Sequence, residues 1–213
     1  MYKEKGITRM SKVLKIGKGK KLSLKKSNGG DLKHAEIRLY WVSPEGERFD
    51  YDLDATAIQL IRSKDPRYQF GRALGDDYVC FYGQPETQGI LSMGDDQEGG
   101  DKEGEPNEVI KIDFTDLSPR TELVPILLTI HDADKRRQSF DRVSNARVEL
   151  VDSDTDEVLV TSDLDSLAPG STSAMFVVFE KGEDGKFTFE NVSQGYKKDL
   201  LQMLSVFGIE AEY

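Results

Sequence analysis

The 213-residue sequence predicts a mainly β protein, a two-sheet antiparallel β-sandwich with one short helix and a C-terminal helix. Three observations lead there. Apolar residues fall in short clusters, turn-forming residues separate those clusters, and no helical stretch between them is long enough for repeated crossovers. Two segments, Ala146-Arg-Val-Glu-Leu150 and Lys186-Phe-Thr-Phe-Glu190, alternate apolar and polar, as antiparallel strands with one wet face do.

Taken in order, the expected strands are Lys21–Lys25, Ala35–Trp41, Asp54–Ile61, Tyr78–Tyr82, Gly89–Met93 and Glu108–Asp113. They continue with Glu122–Ile130, Ala146–Val151, Glu157–Thr161, Ala174–Glu180 and Lys186–Val192. Ser-Asn-Gly-Gly at 27–30, Pro-Glu-Gly at 44–46, Ser-Asp-Thr-Asp at 153–156 and Gly-Glu-Asp-Gly at 182–185 supply the turns. A first helix is expected over Asp134–Val143, with Phe140 and Val143 inward and Arg136 and Arg137 toward water. A second is expected over Tyr196–Phe207, with Leu200, Leu201, Leu204 and Phe207 on one stripe and Gly208 as its stop.

Charge divides the chain unevenly. Met1 to Lys26 holds ten lysines and arginines against Glu4 alone, whereas the whole chain carries −10, so the remainder is strongly acidic. Residues 1–12 are read as a basic mobile tail and 13–213 as one sandwich domain. Lys12, Lys15, Lys18, Lys20 and Lys21 could meet phosphates, but aromatics are not interleaved with them and no recognition helix follows, which argues against nucleic acid. Cys80 is the single cysteine, so neither a disulfide framework nor a multi-thiolate zinc site is available. The absence of a ~20-residue apolar run argues against a membrane span, and a lysine-rich start argues against a secretory leader. A cytoplasmic location is the expectation.

Two acidic segments stand out. In Asp50-Tyr-Asp-Leu-Asp54 an extended backbone projects the three carboxylates to one side, with Tyr51 and Leu53 on the other. Between Glu86 and Glu108 eight acids meet one base, Lys102, within the glycine-rich run Gly94–Glu108. Such clusters repel themselves unless a cation compensates, and Ca²⁺ takes six to eight oxygen ligands in flexible geometry. Candidate metal ligands are therefore Asp52, Asp54, Asp95, Asp96, Asp101, Asn107 and Glu108, with carbonyls of the stretch ending at Gly99 as further donors. A solvated acidic loop is the competing reading. Asp152-Ser-Asp-Thr-Asp156 opens like an EF-hand loop, but Glu157 stands where glycine must turn, so a hairpin is expected there. No nucleophile motif accompanies His34 or His131, and Cys80 reads as a small buried hydrophobe, so no catalytic residues are assigned.

Together these segments resemble the TerD family of tellurite-resistance and stress-response proteins. Leu39-Tyr-Trp41 followed by Phe49-Asp-Tyr-Asp-Leu-Asp-Ala-Thr-Ala57 is similar to the family's tryptophan and Asp-Leu-Asp-Ala-Ser signature. Tyr78–Tyr82, Gly94-Asp-Asp with Asn107-Glu108, Ile130–Phe140 and Gln194-Gly-Tyr196 follow in the family's order. The resemblance implies a non-enzymatic sandwich with Ca²⁺ between the Asp-Leu-Asp strand and the acidic loop. It also implies a role in stress resistance alongside other proteins of the Ter type. A metal-dependent hydrolase or transferase using the same acids is the alternative. Glu105-Pro106-Asn107 replaces the family's Gly-Asp-Asp, and the loop is about two residues longer, which implies that one of two expected sites is altered.

Overall fold

The computed structural model describes residues 13–46, 48–94, 96–99, 104–164 and 167–210. The tail expected over 1–12 lies outside them, as do Asp95 and Asp101. Strands β1 (Leu14–Lys15), β2 (Lys21–Ser23), β3 (His34–Val42), β4 (Leu53–Ile58) and β5 (Leu60–Ile61) come first. β6 (Arg72–Ala73), β7 (Val79–Cys80), β8 (Glu86–Thr87), β9 (Ile90–Ser92) and β10 (Glu108–Asp113) follow. β11 (Leu123–Ile130), α1 (Ala133–Arg136), β12 (Ser144–Asp152), β13 (Glu157–Asp163), β14 (Ser173–Lys181), β15 (Phe187–Tyr196) and α2 (Leu200–Val206) complete the order.

Two sheets result. The first runs β1-β13-β12-β3-β10-β9-β8 and the second β2-β15-β14-β11-β4-β7, with β5 and β6 appended beside β11. The ladders are antiparallel except for β1 on β13. β3 shows why the layers stack: Ala35, Ile37, Leu39 and Trp41 point inward, while the partly exposed Glu36 and Arg38 pair with each other outside. These inner residues meet Leu53, Ala55, Ile126, Leu128, Phe176 and Phe179 of the second sheet in one core.

The second sheet is buried on its outer face as well, which is why β11 is almost wholly buried along its length. Ile58, Leu60, Leu127 and Met175 form a second cluster there with Met203, Leu204, Phe207 and Ile209 of the C-terminal segment. α2 is shorter than expected. β15 continues to Tyr196 because Ser173 pairs with it, and the helix begins only after Asp199, whose carboxylate accepts from Gln202 N at 2.8 Å in a capping box.

The expected helix over 134–143 also resolves differently. α1 stops where Arg137 takes a left-handed conformation (φ 56°), and a separate 3-10 turn spans Phe140–Arg142. Arg136 does not face water but turns toward Asp52. The strand expected over 54–61 divides at Gln59. Its backbone leaves the β11 ladder there, bonding instead to Tyr78 O and Leu74 N. The Asp152–Glu157 segment is the expected hairpin, joining β12 to β13.

Candidate metal centre

The candidate ligands fall in two groups, one on the loop that leads into β10 and the other on β4 and the residues just before it. Glu108 opens β10 and alternation turns it inward, leaving it 4% exposed. Its Oε2 accepts from Ala55 N at 2.7 Å. β7 pairs only with Ala57 and Ile58, so a carboxylate of the first sheet takes up an amide upstream of that short ladder. Beside it, Asn107 Oδ1 accepts from Trp41 N at 2.9 Å and its Nδ2 donates to Asp96 Oδ2 at 2.7 Å. Asp96 Oδ1 in turn receives the amides of Glu98 and Gly99, both at 3.3 Å.

Trp41 holds this loop to the second sheet. Its indole Nε1 donates to Tyr51 O at 2.9 Å, and Ser43 Oγ donates to Glu98 O while accepting from Tyr51 N. Gly99 lies flat against the indole. A Cβ there would stand 2.3 Å from Trp41 Nε1, and φ is +64°, so the position requires glycine twice over.

Asp52 and Asp54 form the other group. Tyr51 and Leu53 face the core as alternation predicts, while both acids are buried on the opposite side. Asp50 is exposed and apart from them. Arg136 Nη1 lies 3.7 Å from Asp52 Oδ2, and His131 Nδ1 lies 3.6 Å from Asp54 Oδ2. His131 N also donates to Asp52 O, which seats the β11–α1 corner over the two acids. Gln138 Nε2 fixes the approach to β4 by donating to the carbonyls of Phe49 and Asp50. Tyr82, 46% exposed, sets its ring edge-on to His131 at 6.2 Å.

The structure thus brings Asp96, Asn107, Glu108 and Gly99 together, and places Asp52 and Asp54 across the same end of the sandwich. Among the described residues, no three His, Cys, Asp or Glu side chains converge tightly enough to form a metal cage. The donor chemistry nevertheless fits a hard cation. Asp52, Asp54, Asp96 and Glu108 are all over nine-tenths buried, and carboxylates removed from water require compensating charge or hydrogen bonds. Trp41, Ser43, Gln138 and Arg136 were not legible as organisers from spacing, because each acts through a contact distant in sequence. Cys80 is buried, its thiol pushed up to about 11 by burial, which keeps it protonated.

Known proteins share this architecture. The TerD domain model matches residues 12–207. The tellurium resistance protein TerD of Serratia marcescens is 29% identical over 197 residues, covering 92% of this chain and 97% of its own. General stress protein 16U of Bacillus subtilis (strain 168) is 26% identical over 201 residues, with 93% and 98% covered. The crystal structure of a TerD homologue from Streptomyces coelicolor A3(2) superposes with a TM-score of 0.66 at 23% identity, covering 84% of this chain and 99% of that one. With the family match running from the first described strand to the end of the last helix, the chain belongs to the TerD domain family.

Proposed function

We propose that this protein is a Ca²⁺-binding module of the tellurium-resistance and stress-response kind, acting by binding rather than by catalysis. One observation carries the reading: four carboxylates, Asp52, Asp54, Asp96 and Glu108, are buried at one end of the sandwich beside an acidic glycine loop. Asp52, Asp54, Asp96, Asn107 and Glu108, with carbonyls of the loop ending at Gly99, would supply the ligands, and Asp95 and Asp101 belong to the same set. A bound Ca²⁺ would neutralise these acids. Asn107 and Ser43 hold the loop against Trp41 in readiness. The same end presents Phe49 and Tyr82, 44% and 46% exposed, next to the acids, which suits docking of another stress-resistance protein. Relatives named for tellurium resistance and general stress support that setting.

Calorimetric titration of chelator-stripped protein with Ca²⁺, repeated with Mg²⁺, tests the reading. Ca²⁺-selective heat is expected, together with stabilisation of about 2.7 kcal/mol at one hundred times the dissociation constant. Asp52→Asn with Asp54→Asn should abolish both. A melting curve unmoved by millimolar Ca²⁺ would sink the assignment.

A further inference from the structure

The outer face of the second sheet carries a polar line inside an otherwise apolar layer. Register sets Asp54 of β4 opposite Thr129 of β11, Thr129 opposite Ser173 of β14, and Ser173 opposite Tyr196 of β15. Directly opposed residues of antiparallel strands share a face, so the four side chains stand in a row across three strand spacings, about 14 Å. Thr56, two residues beyond Asp54, stands on the same face beside the row. The hydroxyls of Thr56, Thr129, Ser173 and Tyr196 are all buried, and none makes a hydrogen bond to another described residue. Thr56 and Ser173 are 0% exposed and Thr129 2%.

Buried hydroxyls are ordinarily paired, and three unpaired ones in adjacent register, with a fourth beside them, are not scattered accidents. Valine, alanine and phenylalanine would fill the same space without desolvating an oxygen, as Leu127 and Met175 do on the same face. A hydroxyl both donates and accepts, so a line of them can pass hydrogen bonds along, whereas the carboxylate at the β4 end accepts only. Burial pushes the Tyr196 phenol up to about 12, so the far end of the line remains a donor.

We infer that this row is a built site for ordered water, a hydrogen-bonded file running from Tyr196 past Ser173 and Thr129 to the Asp54 carboxylate. Donors along it point toward Asp54 and orient that group from beneath. Thr129 and Ser173 are thus positioning residues for Asp54, and this last step rests on the calcium reading above.

Diffraction from crystals of the unsubstituted protein at about 1.5 Å resolution tests the file directly, a resolution at which waters with three or so protein contacts are well defined. Peaks within hydrogen-bond reach of Thr129 Oγ1 and Ser173 Oγ are expected, and a seam without density overturns the inference. Thr129→Val and Ser173→Ala supply the second arm. A hydroxyl that serves water makes both variants melt lower than the parent, whereas a dry seam makes them melt higher. Melting in sodium chloride and in choline chloride of equal ionic strength should coincide, and sodium-specific stabilisation would replace water with a cation and overturn the assignment. Ca²⁺ affinity should fall about 10-fold or more in Thr129→Val and recover in Thr129→Ser, the range typical of outer-shell partners. An affinity unchanged in Thr129→Val overturns the positioning role. Should the parent protein bind no Ca²⁺, the calcium reading fails, while the file is judged by diffraction and melting alone.

Discussion

Gly99 shows how much one position can decide. Its hydrogen atom faces the Trp41 indole where a methyl group would stand 2.3 Å from Nε1 and 2.9 Å from Ser43 Oγ. Gly99→Ala must therefore push the acidic loop away from Trp41 and also adopt an unfavourable left-handed backbone. The expected loss is about 1–3 kcal/mol, read by chemical unfolding, with weaker Ca²⁺ binding by calorimetry. An alanine variant as stable as the parent would mean that the loop is not seated on the indole. From sequence, Gly99 was legible only as a carbonyl donor in a glycine-rich run. Its steric role depends on Trp41, fifty-eight residues earlier, and no local pattern reports that. Asn107 was likewise named as an oxygen ligand, yet its amide is what joins Trp41 to Asp96. Asp52 and Asp54 were legible because strand alternation alone places them opposite the core-facing Tyr51 and Leu53.

Strand alternation also explains which elements were readable and which were not. β10 matches its expected span because Ile110 and Ile112 follow Glu108 at strict alternate positions. The strand expected to run to Ile61 is divided, and the last helix starts late, for one reason: segments distant in sequence decide where regular pairing stops. Tyr78 and Leu74 take the backbone of Gln59 out of the β11 ladder, and Ser173 keeps Tyr196 in β15. Asp199 then starts α2 with a reciprocal cap, its carboxylate accepting from Gln202 N and Gln202 Oε1 accepting from Asp199 N. Asp199→Ala should lower stability by about 1 kcal/mol, measured by urea unfolding. The helix covers the outer cluster through Met203, Leu204 and Phe207. Met203→Ala is therefore the harsher change, about 2–5 kcal/mol, because it opens a cavity in a fully buried site. Equal effects of the two variants would mean that the helix does not pack as a unit with the sheet.

Across the whole molecule, ion pairs tie segments far apart in sequence and set the response to acid. Lys26 reaches Asp154 and Asp152 of the β12–β13 hairpin, and His34 Nδ1 meets Asp154 at 2.7 Å. Lys26 beside it, then His34, hold the Asp154 carboxyl below the usual range. Lys21 and Arg62 do the same for Glu180, Lys135 does so for Asp132, and Arg67 brings Asp65 down to about 2. A carboxyl depressed in the folded state binds fewer protons there than in the unfolded chain. Its contribution is thus complete above the ordinary carboxylate range and drains away as pH falls through the folded value. Stability should accordingly decline between about pH 4 and pH 2, and less steeply at high salt because these pairs are largely exposed. Unfolding midpoints that stay level across that window would show that the pairs contribute nothing. The outer strands of each sheet have a separate consequence. Both sheets end in very short strands, two residues in β1, β8 and β7 and three in β2. A stray chain seeking to extend a sheet needs a long open row of amides and carbonyls, and the end strands themselves offer only two or three residues. Short end strands of this kind make each sheet a poor template for edge-to-edge pairing with another chain.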